Sequence, residues 1–482
     1  MSDQTTSPTR NVCTEVVAHD LCVGCGMCAG ICPNGNLTVE FNQFGEYAPR
    51  DKGACAQTCD LCLQSCPAWC EQADNEDTLG RELFAGAPGI KHRPEVGYYL
   101  SAVMGYSDVR GHRGNGASGG LATWTLERLL GENRIDKACC VRPTSKRGRL
   151  FEFVVCGSPE EIRSCAGSSY YPVQTSEIVR HILSNEGRYA VVGLPCCIKA
   201  FRLAMRKHPK LRRRVKFLLG LVCGQGKSSF FAEYACALGG GDPARLDEVR
   251  FRIEAPKERA RDHGIRFRSD AGSSDERRGV VRMSAGPAQI WTDRCFTPNG
   301  CNFCDDTFAE LADATFMDAW LPAYENENRG TSIVIARNEI ILNMLRRGTE
   351  QGELTLSDLG LDEVVASQRG VVHTKRRLIH QWCRLAAKEG RRVPPKRGPI
   401  SSKRLPFLER RRAGVAWRMC MESRRAWPAA GKDVEKFERA MSPFVRRSVL
   451  IRALQEMLRR PWKLPLAVLR RIRRSLGGRG RG

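Results

Sequence analysis

The chain has 482 residues, 42% of them hydrophobic, enough for the cores of about three domains and too many for a disordered chain. Lysine and arginine number 77 against 53 acidic residues, a net charge of +24, but 29 basic and only 7 acidic residues fall between Gln381 and Gly482. The other 380 residues carry a net charge of +2, which excludes a nucleic-acid-binding body and leaves any electrostatic attraction to the last hundred residues.

Nothing secretory marks the opening: MSDQTTSPTRN is polar, and no run of about 18 apolar residues occurs to span a bilayer. Ten of the 23 cysteines lie between Cys13 and Cys70. The reading is a cytosolic, reducing compartment, where clustered thiols act as metal ligands rather than disulfides.

Cys22, Cys25, Cys28 and Cys32 stand as C-x2-C-x2-C-x3-C before Pro33, the bacterial ferredoxin run. Its short steps let three thiolates reach one 4Fe-4S cubane from a single loop, with Gly24 and Gly26 letting the backbone wrap close. The fourth cysteine of such a run serves a second cluster, so a second run is required. Cys55, Cys59, Cys62 and Cys66, spaced C-x3-C-x2-C-x3-C before Pro67, supply it. In the crossed arrangement Cys22, Cys25, Cys28 and Cys66 hold one cluster and Cys55, Cys59, Cys62 and Cys32 the other, leaving Cys13 and Cys70 spare. Zinc knuckles also use C-x2-C steps, but tetrahedral zinc has no use for a cysteine-proline after a three-residue step.

Beyond a linker at 86–94, short apolar runs alternate with helical periodicity. Strands are predicted near 99–104, 137–141, 150–156, 189–192 and 215–222, and helices at 121–130, 174–183, 196–206 and 229–238. That order predicts an α/β domain with a largely parallel sheet, whose ligands bind beyond the carboxyl ends of the strands. At one strand-to-helix junction Gly114, Gly116, Gly119 and Gly120 crowd around Ser118, a setting that suits a phosphate-bearing cofactor; such turns are more often plain connections. A second small-residue turn runs from Cys165 to Val173, preceded by Ser158, Pro159 and Glu161, which read as a helix cap.

Three further segments carry cysteines: VVGLPCCIKAFR with Cys196 and Cys197, LLGLVCGQGKSS with Cys223, and RCFTPNGCNFCDD with Cys295, Cys301 and Cys304. The last three, with Cys196 or Cys223 at the ends of strand-like segments, give five candidates for the four places of a third cluster. The alternative is that Cys196, Cys197 and Cys223 are small buried hydrophobes.

The turns NGASGG and GSSYYP, the GLPC and GLVCGQGKSS segments, and CNFCDDTFAELADATFMDAW from Cys301 to Trp320 resemble, in this order, the coenzyme F420 hydrogenase/dehydrogenase beta-subunit family. With the ferredoxin runs, the likeness extends from about Leu21 to Ala336. The resemblance implies an iron-sulfur flavoprotein with FAD in the α/β domain. It implies Ser118, Gly119 and Gly120 at the phosphate or ribitol, and Gly167, Ser168, Ser169 and Tyr170 near the flavin. It also implies a cluster beside the flavin, on Cys295, Cys301 and Cys304 with Cys196 or Cys223. Asp305, Asp313 and Asp318 belong to the same motif and are expected to order the cluster loop rather than to act as acids or bases. Gln225 and the arginine-rich tail depart from the family pattern, and no catalytic acid is identified.

In the tail, Leu450, Leu454, Met457 and Leu458 share one helical face, Val468, Leu469, Ile472 and Leu476 repeat the pattern, and arginines flank both. This reads as a basic helix for an anionic membrane surface, broken at Pro461 and Pro465, or equally as a helical hairpin packed on the body. Nucleic acid is a weaker partner, since few aromatics accompany the charge.

The expected fold is a multidomain α+β and α/β chain. A two-cluster ferredoxin-like domain spans 1–85, a flavin-binding α/β domain 95–240, the C-terminal part of the beta-subunit family with the cluster loop 241–380, and a basic helical tail 381–482. The expected function is a cytoplasmic oxidoreductase, peripheral on the inner membrane face. It takes electrons from a ferredoxin-type donor or redox partner subunit through 4Fe-4S clusters to FAD and an organic substrate. Two alternatives stay open: oxidation of reduced coenzyme F420 with electrons running outward, and a non-catalytic electron-transfer subunit. A second copy of the chain is a further candidate partner.

Overall fold

A computed structural model describes residues 10–459, apart from positions 54, 56–58, 70, 72, 145, 147, 254–261, 270–276, 328, 399 and 401–403. Its frame is an eight-stranded sheet. In chain order the strands are β1 (Ser101–Ser107), β2 (Lys137–Pro143), β3 (Phe151–Cys156), β4 (Tyr189–Gly193), β5 (Val215–Leu221), β6 (Ala314–Asp318), β7 (Ser332–Ala336) and β8 (Leu354–Asp358). Their spatial order is β8-β1-β7-β6-β5-β4-β2-β3. The central run β6-β5-β4-β2 is parallel, while β7, β1 and β8 on one side and β3 on the other add antiparallel. The strands and helices expected between 99 and 238 are present, and the expected parallel arrangement forms the centre of a mixed sheet. Helical crossovers permit the parallel pairs, whereas the short connection from β2 to β3 can only return the chain antiparallel.

Alternation along the strands divides the core in two. Cys139, Val191 and Leu218 face the helices Ser176–Ser184 and Pro195–Lys207. Cys140, Ala190, Phe217 and Leu219 face Leu121–Gly131 and Glu339–Glu350. Both faces are covered, which is why these strands read as unbroken apolar runs. Periodicity did not single out the antiparallel sheet of Leu246–Ile253, Gly264–Ser269 and Arg277–Arg282, nor β6, β7 and β8.

The ferredoxin segment folds as a hairpin, Leu37–Phe41 with Tyr47–Asp51, beside the short helices Met27–Gly30 and Leu61–Gln64. It is docked on the sheet's helical layer. Thr175 donates both its N–H and its Oγ1 to the Cys25 carbonyl at 2.8 Å, and Arg180 donates to the Ala29 carbonyl at 3.1 Å. Gly30 and Gly300 permit the close approach: a Cβ there would lie 2.6 Å from Val179 Cβ and 2.3 Å from the Leu21 carbonyl oxygen.

Up to residue 459 the basic tail is built into the body as the helical hairpin of the second reading, Phe407–Ala429 and Val434–Arg459. Trp417 and Met421 pack with Leu21, Leu63 and Trp382, while Trp427, Phe437 and Met441 pack with Phe231 and Phe296. The repeat at 468–476 and its breaks at Pro461 and Pro465 lie outside the described residues. Leu450, Leu454 and Leu458 stay exposed, and no helix among the described residues is long and apolar enough to cross a membrane.

Arg424, buried on the hairpin, ties it to the ferredoxin segment. Its guanidinium donates to Asp20 at 2.8 and 2.7 Å and to buried Glu46 at 3.0 Å. Burial pushes the Glu46 carboxyl up to about 7 even though Arg424 opposes it. Arg424→Met, which leaves Glu46 buried without its cation, is expected to cost about 3–5 kcal/mol. Anaerobic urea denaturation checks this, and a midpoint equal to that of the parent would remove the pair from the account.

Candidate functional site

The structure brings the ferredoxin cysteines together in two sets. One cavity is lined by Cys22, Cys25, Cys28 and Cys66 together, among Val12, Val16 and Val39. Burial raises the Cys28 thiol well above its ordinary value, and its neighbours Cys25, Cys22 and Cys66 raise it further. In the second set the Cys62 thiol is pushed up to about 11 by burial, with Cys55 and Cys59 beside it. Cys55, raised by burial and by Asp51, has Cys59 and Cys32 as neighbours. Cys66 of the second run thus stands with the first run, and Cys32 of the first run stands beside Cys55. Cys13 lies at the edge of the second set and donates its Sγ to the Pro49 carbonyl at 3.4 Å, while Cys70 falls outside the described residues.

A third set forms at the carboxyl edge of the parallel strands. Cys196 follows β4, Cys223 follows β5, and both meet Cys301 and Cys304 of the loop before β6. Burial raises Cys196 well above its ordinary value, and Cys25, Cys223, Cys301 and Cys304 add to it, so this set also borders the first ferredoxin set. Burial likewise pushes Cys301 up to about 12, with Cys223 and Cys304 at hand. Sequence spacing offered Cys196 or Cys223; the fold brings both.

Cys295 is elsewhere. Arg294 and Phe296 take left-handed backbone, φ 61° and 59°, and this double bend sends Cys295 into the core formed with the helical hairpin, beside Lys227 and Cys420. Cys197 points the other way from Cys196, into the core under β4 and β5.

The third set is ringed by buried cations that no sequence motif announced. Lys375 donates its Nζ to Cys304 Sγ at 3.1 Å and to the Asp306 carbonyl at 2.6 Å. Burial acts to discharge this ammonium, but Cys304 and Cys223 more than offset it, and its pKa stands above the usual lysine value. Buried Arg294 donates to Asn302 Oδ1 at 3.0 Å and has Cys301 and Cys223 near it. Lys227, also buried, donates to the Cys295 carbonyl at 2.7 Å, and burial pushes it down to about 7. Backbone N–H groups also reach sulfur: Gly226 donates to Cys301 Sγ and Gly24 to Cys22 Sγ, each at 3.4 Å.

Asp313 orders its loop, accepting the Leu218 N–H at 2.7 Å and pairing with Arg202 at 3.1 Å. Asp305 pairs with Arg397 at 3.6 Å, and Asp318 with Arg252 at 2.7 Å.

The two small-residue turns reach the same sheet edge. Ser118 Oγ donates to the Thr331 carbonyl at 2.8 Å and Gly119 N–H to Ser332 Oγ at 2.9 Å, so this turn packs on the start of β7. Gly120, at φ 77°, carries the chain into the following helix. Across from it, Ser168 bridges to Phe251, and the Tyr170 ring meets Trp291 at 4.8 Å and Phe251 at 5.3 Å. Gly167 has φ 124° and open space where a Cβ would be, and the Ser169 hydroxyl is buried with no hydrogen-bond partner among the described residues.

Arg252 stands between the turns. A register shift after Arg250 and a left-handed φ of 57° aim its guanidinium at Asp318 and over the Trp320 ring, 5.3 Å from its centre. Bulges re-aim side chains in this way, and nothing in the local sequence marks the residue. Gln225, the departure from the family pattern, links the halves of the site: it donates to the Trp291 carbonyl and accepts from Thr297 Oγ1, both at 2.8 Å.

Residues 102–180 match the model of the N-terminal domain of the coenzyme F420 hydrogenase/dehydrogenase beta subunit, residues 186–361 that of its C-terminal domain, and residues 15–38 a 4Fe-4S binding domain. A subunit of the F420H2 dehydrogenase of Methanosarcina mazei is 27% identical over 216 residues, 43% of this chain and 55% of that protein. The coenzyme F420-dependent sulfite reductase of Methanocaldococcus jannaschii is 24% identical over 350 residues, 67% of this chain and 45% of that protein. The chain thus spans about half the length of these curated relatives. Among solved structures, a chain of the F420-reducing NiFe hydrogenase complex from Methanosarcina barkeri superposes with a TM-score of 0.48 at 17% identity, covering 64% of this chain and 100% of that one. The two beta-subunit models together match just over half of the residues, and the chain belongs to the coenzyme F420 hydrogenase/dehydrogenase beta-subunit family, with a 4Fe-4S binding domain near its N-terminus.

Proposed function

We propose that the chain is an iron-sulfur flavoprotein oxidoreductase that passes electrons from a ferredoxin-type donor, through three 4Fe-4S clusters, to FAD and on to an organic substrate. Cys22, Cys25, Cys28 and Cys66 hold the first cluster, Cys55, Cys59, Cys62 and Cys32 the second, and Cys196, Cys223, Cys301 and Cys304 the third. The observation that carries this reading is the hydrogen bond from buried Lys375 Nζ to Cys304 Sγ at 3.1 Å, with Cys223 beside it and buried Arg294 near Cys301 and Cys223. A buried ammonium is ordinarily met by a carboxylate; here the thiols of Cys304 and Cys223 act on it more strongly than the Asp306 carboxylate, which suits a cubane whose thiolate shell is anionic.

FAD fits beside the third set. Gly167 leaves room, Ser169 offers an unused hydroxyl, Tyr170 and Trp291 give an aromatic wall, and Arg252 a cation. A flavin bound there supplies the exchange between hydride chemistry and single electrons, and the cubanes supply one-electron storage. The chain's own residues set the rest. Lys375, Gly226 and Gly24 donate to sulfurs that would hold clusters and would so raise the clusters' reduction potentials, and the Arg252–Asp318 pair holds the two turns in register.

A second reading is favoured by the names of the relatives, both of which carry coenzyme F420: hydride enters from reduced F420 and electrons leave through the ferredoxin sets. Anaerobic flavin bleaching by reduced ferredoxin but not by reduced F420 supports the first direction. The reverse pattern supports the second, and no bleaching by either leaves neither standing.

Protein purified without oxygen is expected to carry about twelve irons and one FAD. Cys223→Ser and Cys301→Ser are each expected to lose about four irons, while Cys295→Ser keeps all of them. Equal loss in Cys295→Ser would overturn the third ligand set. Lys375→Gln is expected to keep its iron and lower the third cluster's midpoint potential by tens of millivolts in an EPR-monitored titration, because a buried positive charge next to sulfur is removed. An unchanged potential would detach Lys375 from the cluster.

A further inference from the structure

Apart from these sets, the described residues bring one more group of thiols together. Cys140 on β2, Cys156 at the end of β3 and Cys165 at the end of the helix Pro159–Ser164 have their Sγ atoms within 4.8 Å of one another, with Cys156 and Cys165 3.7 Å apart. Cys156 faces Ala138 and Cys140 faces Val154 across the β2–β3 pairing, which places the two cysteines on one face of the sheet. Ser158 caps the short helix and turns the chain back over that face, delivering Cys165. Cys140 and Cys156 are buried among Leu126, Leu129 and Ile162, and Cys165 is half-buried.

A zinc–sulfur bond of about 2.3 Å gives tetrahedral thiolates a separation of about 3.8 Å, close to the Cys156–Cys165 distance. The spacing suits one ion, since a cubane spreads its thiolates over four corners. Three sulfurs without histidine or carboxylate select a soft cation. We propose that Cys140, Cys156 and Cys165 form a tri-thiolate site for a single thiophilic cation of the zinc class, separate from the iron-sulfur and flavin sites and independent of their assignment. The ion pins the helix Pro159–Ser164 to the sheet and fixes the start of the turn that continues through Gly167 to Tyr170. Binding displaces the thiol protons to solvent.

The test uses the full chain, purified anaerobically, incubated with zinc and passed over a desalting column, with zinc, copper and iron measured per chain. A parallel arm offers copper(I) instead. The expected result is about one zinc per chain with a sulfur shell near 2.3 Å in zinc-edge absorption. Zinc retention is expected to fall about tenfold or more in both Cys165→Ser and Cys156→Ala, with iron unchanged. Cys165 is half-buried at a helix end, so its serine variant keeps the fold even if the buried Cys156→Ala does not. Copper(I) held in place of zinc and lost in the same variants keeps the site and assigns it to the monovalent ion. No retained metal, metal retained equally by the variants, or a Cys156–Cys165 disulfide in the metal-challenged protein would overturn the proposal.

Discussion

Lys375 places an ammonium in the interior, 3.1 Å from the Cys304 sulfur, and an uncompensated charge in such a place would cost several kcal/mol. Much of the molecule is arranged so that this charge is met. Cys196 and Cys223 arrive from the ends of β4 and β5, Cys301 and Cys304 from the loop before β6, and Asp313 closes that loop on the Leu218 N–H. Lys375 itself comes from a helical segment that only the later part of the chain can bring to the sheet edge. The sulfur set and the cation are therefore one electrostatic unit assembled from four separate regions.

The same logic explains the basic C-terminal region. Composition alone marks it as a surface that waits for an anion, yet Arg424 is turned inward to Asp20 and Glu46, and Trp417 and Trp427 fill cores on the ferredoxin and sheet sides. The helical hairpin is thus a brace between modules. Its solvent side still carries Leu450, Leu454 and Leu458, an apolar stripe that the packing of Ala453 toward the body leaves outside.

Rigidity between the ferredoxin segment and the sheet follows from small residues. Gly30 and Gly300 let backbone and side chains approach to distances that any Cβ would block, and Thr175 spends two donors on one carbonyl of the Cys25 loop. Cys25 is thereby held close to Cys196, so the first ferredoxin set and the sheet-edge set are neighbours through a fixed contact.

The two ferredoxin runs were legible because their information is local: cysteine spacing within ten or so residues fixes which sulfurs can share a loop. The strands and helices between 99 and 238 were legible for the same reason, since apolar periodicity is a local pattern. The sheet of Leu246–Ile253, Gly264–Ser269 and Arg277–Arg282 alternates Val249, Phe251, Ile265 and Phe267 with arginines, a period-two signal hidden by charge. Membership of the third cysteine set was not legible, because it depends on a left-handed bend at Arg294 and Phe296 that turns Cys295 away, and on two strand ends meeting at one edge. Arg252, Lys375 and the trio of Cys140, Cys156 and Cys165 belong with it: each owes its place to a bulge, a distant helix or a strand pairing. The sequence by itself determined the ferredoxin chemistry and the α/β frame, which follow from short-range spacing. Tertiary structure decided which sulfurs and charges meet, because those contacts join residues far apart in the chain and are set only when the sheet closes around them.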